Sequence, residues 1–152
     1  MVGICALRVY NFVMRVAFCG RENFVADIKS KVDLIEILVF LAQKERRVVC
    51  YCGKDGELNG FAADCVNKVK NKYKNITCVL VIPYVNGRQA KKFSESGLYD
   101  ETTRLGAKDL SRLTANGCEE WMIEQSDLVI ALGGAAKACA YAEKRKKIVL
   151  RL

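Results

Sequence analysis

Five continuous apolar runs, separated by stretches with helical periodicity, constrain the fold of this chain more than any other feature. The runs occupy residues 15–19, 47–52, 76–82, 127–132 and 147–152. A strand that is buried on both faces has a continuous apolar run, whereas a strand with one exposed face alternates apolar and polar residues. The runs therefore predict strands that are covered by helices on both sides.

The stretches between these runs are typical of amphipathic helices, with apolar residues at i, i+3, i+4 and i+7. They cover residues 33–43, 57–72, 119–125 and 135–146. Alternating strands and helices form parallel sheets through right-handed crossovers. We therefore predict an α/β fold with a doubly wound, mostly parallel five-stranded Rossmann-like sheet and helices on both faces. Residues 84–115 lack strong periodicity and are expected to form a long insert.

The length of 152 residues fits one domain. We expect residues 1–13 to be an N-terminal appendage and residues 14–152 to be a single domain, because Met14 directly precedes the first apolar run. The segment before Met14 is interrupted by Arg8 and Asn11, which is not typical of a signal peptide. It is also too short and too charged to span a membrane, so we expect no membrane association.

The absence of histidine excludes several kinds of active site. Ser–His and Cys–His catalytic pairs and imidazole metal ligands all need that side chain. Acid–base chemistry would therefore depend on carboxylates, lysine, tyrosine or cysteine. Lysine and arginine number 25 against 17 acidic residues, which gives a net charge of +8. This charge favours anionic partners such as phosphates, nucleotides or nucleic acid.

The eight cysteines are more typical of core residues than of a disulfide or metal framework. Most of them lie inside apolar runs, where cysteine behaves as a small hydrophobic residue. Cys50 and Cys52 form a C-x-C pair on a predicted strand, and the chain contains no C-x-x-C pair of the kind that binds zinc. We therefore expect structural thiols, no metal site and a reducing, cytoplasmic location.

Glycine-bearing turns follow the first, second and fourth apolar runs, at Gly20, Gly53 and Gly133. The carboxyl ends of parallel strands meet at one edge of the sheet, and ligands bind there where the strand order reverses. Glycine permits close backbone approach, and the helix after each turn offers N–H groups to an anion. The sequence therefore predicts a cradle for a nucleotide or nucleotide-derived ligand. It contains neither a Walker A motif nor G-x-G-x-x-G, and we expect no further cofactor.

The candidate site residues belong to these turns and to the helices that follow them. The candidate ligand-binding residues are Gly20, Arg21, Gly53, Asn59, Gly133, Gly134 and Ala135. Arg21 could bind phosphate with its guanidinium, although it could equally be a solvated arginine. Glu22 is the candidate catalytic carboxylate, against the alternative of a surface or capping glutamate. Asn59 could bind a ribose or base, or it could cap the nearby helix.

Several segments resemble proteins of the SLOG superfamily, which includes the Smf DNA-processing proteins and the Lonely Guy phosphoribohydrolases. The nearest likeness is to the small stand-alone bacterial branch of that superfamily. The segments that carry the resemblance are Phe18–Arg21, Tyr51–Gly53, Gly60–Ala63, Val81–Tyr84, Trp121–Ile130 and Gly133–Ala135. The resemblance implies a Rossmann-like fold with a pocket for a nucleotide or a nucleotide-derived ligand.

Departures from the pattern of that branch favour binding over catalysis. Gly20-Arg21-Glu22 stands where Gly-His-Arg is usual, Leu58-Asn59 replaces Phe-Asp, and Cys118-Glu119 replaces Arg-Asn. The Lonely Guy signature P-G-G-x-G-T is absent. Our first hypothesis is therefore binding of a small nucleotide-like ligand. The alternatives are an N-glycosidic hydrolase or transferase that uses Glu22, and a single-stranded nucleic-acid-binding protein. An exposed helix face could also support a homo-oligomer.

Overall fold

A six-stranded sheet in which every pairing is parallel organises the molecule. The computed structural model describes residues 13–20, 24–53, 56–83, 96–110 and 117–152. The strands are β1 Met14–Gly20, β2 Val48–Cys52, β3 Ile76–Pro83, β4 Glu101–Leu105, β5 Leu128–Leu132 and β6 Ile148–Arg151. Their order in the sheet is β4-β3-β2-β1-β5-β6. The predicted Rossmann-like parallel sheet is confirmed, but the predicted number of five strands is one too few.

Four longer helices and one short helix connect the described strands. They are α1 Ile28–Lys44, α2 Gly56–Lys70, α3 Ala107–Leu110, α4 Gly117–Gln125 and α5 Ala136–Lys144. The cap of α1 is Asp27, whose Oδ1 accepts a hydrogen bond from the backbone N–H of Ser30 at 2.7 Å. This hydrogen bond lowers the pKa of Asp27 because it stabilises the carboxylate. The cap fixes the start of α1 five residues before the predicted position.

The helices cover both faces of the sheet, as the continuous apolar strands predict. On one face, Leu38 of α1 and Val66 of α2 pack with Phe18 of β1 in the main core cluster. On the opposite face, Met122 of α4 packs with Ala17, while helix α5 packs against β5. Each central strand therefore buries alternate side chains on opposite faces of the sheet, which leaves its ends as the places where polar groups can bind a ligand.

The extra strand, β4, lies at one edge of the sheet, inside the segment for which we predicted an insert without periodicity. Four of its five residues are polar and only Leu105 is buried. Asp100, directly before the strand, accepts a hydrogen bond from the backbone N–H of Cys78 through Oδ2 at 2.8 Å. Its other oxygen, Oδ1, forms an ion pair with Lys70 of α2. The Asp100 carboxylate therefore ties β4 to both β3 and α2.

The opposite edge of the sheet, β6, is apolar rather than polar. Ile148 is 70% exposed and Leu150 is 37% exposed. Val149 faces the other way and packs on the cluster that α5 covers. The two edges of the sheet therefore differ in the chemistry that they present to solvent.

The described cysteines are free thiols, and all of them except the half-buried Cys118 are buried. Burial raises the pKa of Cys19 to about 12 and that of Cys65 to about 11, which keeps both thiols protonated. The described residues contain no group of three potential metal ligands. None of the helices in the described ranges is long and apolar enough to cross a bilayer. The predicted appendage, residues 1–13, lies outside the described residues except for Val13.

Candidate functional site

The three predicted glycine turns lie at the carboxyl ends of three neighbouring strands. Gly20 is the last residue of β1, Gly53 directly follows β2, and Gly133 directly follows β5. In the sheet β2 and β5 lie on either side of β1, so the strand order reverses between β1 and β5. Gly20 pairs in register with Leu132, which places the turns after β1 and β5 side by side. The turns therefore share the edge at which parallel sheets bind ligands.

Gly20 allows helix α2 to approach the end of β1 closely. A Cβ atom at this position would lie 2.7 Å from Cδ2 of Leu58 and 3.0 Å from the carbonyl oxygen of Leu132. Leu58 itself is buried, so its side chain covers the end of β1. The glycine thus lets α2 and β5 pack closely against the end of β1, and Leu58 gives this part of the edge an apolar floor.

Asn59 fixes the turn between β2 and α2. Its side-chain oxygen Oδ1 accepts a hydrogen bond from the backbone N–H of Gly53 at 2.9 Å. A Cβ atom at Gly53 would lie only 3.0 Å from Nδ2 of Asn59, so the glycine lets the amide approach. Asn59 lies inside α2 and binds a backbone group that precedes that helix, so this contact is neither the helix cap nor the ligand contact that the sequence suggested. Its contact with a ligand remains a prediction.

The turn between β5 and α5 is the part of the edge best suited to an anion. Gly133 and Gly134 have φ angles of 68° and 98°, which side-chain-bearing residues rarely adopt. Ala135, which caps α5, makes no side-chain hydrogen bond to the start of the helix. A Cβ atom at Gly134 would meet no described atom within 4 Å, so the turn borders open space. The first N–H groups of α5, at the positive end of its dipole, therefore lie beside an accessible surface.

Two candidate residues, Arg21 and Glu22, lie outside the described residues. They directly follow Gly20 in the chain. The roles of the Arg21 guanidinium in phosphate binding and of the Glu22 carboxylate in catalysis remain predictions from the sequence.

Sequence reasoning did not single out Glu119, a carboxyl group that the structure places near the carboxyl edge of the sheet. Because β5 is parallel to β1, the helix that precedes it, α4, must begin near the carboxyl edge. Glu119 lies in the first turn of α4, and its negative charge contributes to the raised pKa of Cys19, the neighbour of Gly20. Burial, and to a smaller extent the charge of Glu120, raises the pKa of Glu119. A raised pKa favours the protonated form of a carboxyl group, which is the form that can donate a proton.

Glu119→Gln is expected to stabilise the protein near neutral pH and to have little effect in acid. Because its pKa is higher in the folded protein, the folded state binds the Glu119 proton more tightly than the unfolded chain does. The wild type therefore loses stability relative to the variant as the pH rises from the usual glutamate pKa of 4.5 through the raised value. Urea unfolding of both proteins across this pH range measures the difference. A difference in the free energy of unfolding that stays constant with pH would contradict the raised pKa of Glu119.

Comparisons with known proteins identify the fold. No family model matches the chain, and no curated protein matches its sequence significantly. Among solved structures, the molybdenum cofactor carrier protein of Chlamydomonas reinhardtii is similar, with a TM-score of 0.58 and 18% sequence identity. The alignment covers 91% of this chain and 75% of the carrier protein. At this identity the likeness shows a shared Rossmann-like α/β fold.

Proposed function

We propose that this protein binds a small nucleotide or nucleotide-derived molecule at the carboxyl edge of β2, β1 and β5. The observation that carries the proposal is the position of Gly20, Gly53 and Gly133 at the ends of three adjacent strands, on both sides of the point where the strand order reverses. Ligands of α/β sheets bind in this crevice because backbone N–H groups and helix N-termini converge there.

The parts of the edge have chemically distinct roles in this proposal. The uncapped start of α5, after Gly133 and Gly134, would donate N–H groups to a phosphate. Leu58 would offer an apolar surface at the end of β1, where a base or other planar ring could lie. Asn59 would hold the β2–α2 turn through its bond to Gly53. Arg21 would add a bidentate contact to phosphate.

Two likenesses support binding of a small molecule. The similar solved structure is that of a molybdenum cofactor carrier protein, so a protein with this fold carries a small cofactor. The segments that resemble the SLOG superfamily favour a nucleotide-derived ligand over other anions. A carrier needs binding groups only, which agrees with the backbone donors at the start of α5 and with the absence of histidine.

The position of Glu119 favours a second candidate function, cleavage of an N-glycosidic bond in a nucleotide. In that case Glu119 would protonate the leaving base and Glu22 would activate water or attack the anomeric carbon. Glu119→Gln would then abolish turnover of a responsive nucleotide while binding persists. Unchanged turnover in that variant would exclude this role for Glu119.

A thermal-shift screen against mononucleotides, dinucleotides, cyclic nucleotides and the molybdenum cofactor tests the main proposal. A specific ligand at a hundred times its Kd should add about 2.7 kcal/mol to the free energy of unfolding. Gly134→Ala is expected to weaken the affinity for that ligand by about tenfold or more, because alanine disfavours the backbone conformation that presents the N–H groups of α5.

Gly97→Ala is the matched control for this screen. Gly97 also has a left-handed φ, 77°, and a Cβ atom there would meet no described atom within 4 Å. It precedes β4 near the amino end of that strand, away from the three turns. Both variants should therefore lose similar stability, and only Gly134→Ala should lose the ligand. Equal loss of affinity in both variants, or no shift with any compound, would refute the proposal.

A further inference from the structure

A second cleft lies at the amino edge of the sheet, at the opposite ends of the strands from the glycine turns. Its volume is about 420 Å³, within the range of small-molecule sites. The described residues that line it are Val13, Arg46, Arg47, Lys74, Asn75 and Thr77. Val13 lies directly before β1, Thr77 is the second residue of β3, and the other four residues belong to the loops that precede β2 and β3.

Hydrogen bonds hold these two loops together. Nδ2 of Asn75 donates to the carbonyl oxygens of Ala42 at 2.8 Å and of Glu45 at 3.0 Å. The carbonyl oxygen of Asn75 in turn accepts from the N–H of Val48 at 2.9 Å. On the other side, the carbonyl oxygen of Arg47 accepts from the N–H of Met14 at 2.8 Å. The backbone that presents the cationic side chains is thus fixed before any ligand arrives.

The charged side chains among the described lining residues of the cleft are all cationic. Arg46, Arg47 and Lys74 are all exposed, and the described lining residues include no carboxylate. The combined positive potential of three neighbouring cations attracts an anion with several negative charges. The planar guanidinium groups match the oxygen pairs of phosphate, while the Lys74 ammonium acts as a point charge.

We propose that this cleft is a second binding site, for a ligand that carries two or more phosphate groups. Arg46, Arg47 and Lys74 contact the phosphate oxygens. The phosphates have two potential sources with the same chemistry, a free polyphosphate compound or the backbone of a nucleic-acid single strand. The site is separate from the carboxyl edge and does not depend on the function proposed there.

The test compares two triple variants that remove the same amount of positive charge. The cleft variant is Arg46→Gln/Arg47→Gln/Lys74→Gln. The control variant is Lys29→Gln/Lys68→Gln/Lys144→Gln, which changes exposed lysines on helices α1, α2 and α5. Exposed substitutions of this kind have little effect on stability, so each variant should fold. Thermal unfolding checks that condition, and calorimetry with inorganic tripolyphosphate measures binding.

Tripolyphosphate is expected to bind the cleft variant about tenfold or more weakly than the wild type, and the control variant within about twofold. A fluorescent oligothymidylate provides the second arm. Three phosphate contacts to a single strand give a salt-dependence slope of about −2, so between about 50 and 200 mM salt the wild type should lose roughly 16-fold more affinity than the cleft variant.

The outcomes identify the source of the phosphate and separate the two proposals. A response to tripolyphosphate alone indicates a free polyphosphate ligand, and a response to the oligonucleotide alone indicates a nucleic-acid backbone. The Gly134→Ala variant should bind both probes at the cleft as the wild type does. The result for the cleft therefore stands even if the proposal for the carboxyl edge fails. If the cleft and control variants lose equal affinity for both probes, or neither probe binds the wild type, the cleft is not a phosphate site.

Discussion

Gly20→Val is expected to lower the free energy of unfolding by about 2 to 3 kcal/mol. The added Cβ would lie 2.7 Å from the side chain of Leu58 and 3.0 Å from the carbonyl oxygen of Leu132. Leu58 could move, but the Leu132 oxygen belongs to the backbone of β5 and is held by the β1–β5 register. The branched valine side chain adds further volume at this crowded point. Urea unfolding at neutral pH measures the loss.

Gly60→Ala is the control for this substitution. Gly60 lies in α2, where a Cβ atom would meet no described atom within 4 Å outside its own helix. Alanine there should stabilise the protein by up to about 1 kcal/mol through helix propensity. In the Gly20→Val background, Leu58→Ala should cost less than it does alone, because it relieves the overlap. Wild-type stability in Gly20→Val would contradict the close approach of α2 to β1.

Asp100→Ala is expected to lower the free energy of unfolding by about 2 to 3 kcal/mol. The substitution removes the acceptor of the Cys78 N–H, which otherwise finds no ladder partner because β4 pairs with β3 only from Val79 onwards. It also removes the ion pair with Lys70. We expect most of the loss to come from the backbone donor, since ion pairs near the surface contribute little.

Asp64→Ala and Asp100→Asn separate these two contributions. Asp64 forms an exposed ion pair with Lys68 at 3.3 Å and accepts no backbone hydrogen bond from the described residues, so alanine there should cost about 0.5 kcal/mol or less. Asparagine at position 100 keeps an acceptor for Cys78 and loses the charge, so its stability should lie between those of the wild type and Asp100→Ala. An equal effect of Asp64→Ala and Asp100→Ala would show that the Cys78 hydrogen bond is not the main contribution.

The central strands can be predicted closely from the sequence because they are buried on both faces. The first apolar run, 15–19, became β1 Met14–Gly20, and the third, 76–82, became β3 Ile76–Pro83. Strand β4 has no such signal, because it pairs on one side only and four of its five residues are polar. Its pairing with β3 is long-range, as is the contact of Asp100 with Cys78 22 residues away, and local periodicity cannot reveal such partners.

The start of α1 shows a similar limit. The apolar periodicity predicts a helix from residue 33, one residue before Leu34, the first buried residue of the helix. The helix in fact begins at Ile28, which is exposed, because the Asp27 cap rather than burial determines its first turn. Hydrophobic periodicity reports where a helix contacts the core, and capping reports where it begins.

At the candidate site, topology was predictable and electrostatics were not. The shared edge of Gly20, Gly53 and Gly133 follows from parallel strands, which the apolar runs predict. The raised pKa of Glu119 depends on burial and on Glu120, which arise only when α4 packs on the sheet. The backbone contact of Asn59 likewise needs the observed geometry of the turn. Arg21 and Glu22 stay predictions.

The unlike borders of the sheet determine where another strand could join it. At β4 the backbone N–H and C=O groups that face away from the sheet lie beside the polar side chains of Glu101 and Arg104. Polar side chains at an edge discourage pairing with a further strand. At β6 the corresponding backbone groups lie beside the exposed apolar side chains of Ile148 and Leu150, and apolar side chains favour pairing with a further strand. Growth of the sheet by an added segment would therefore be one-sided, and a lysine introduced at position 148 would oppose it.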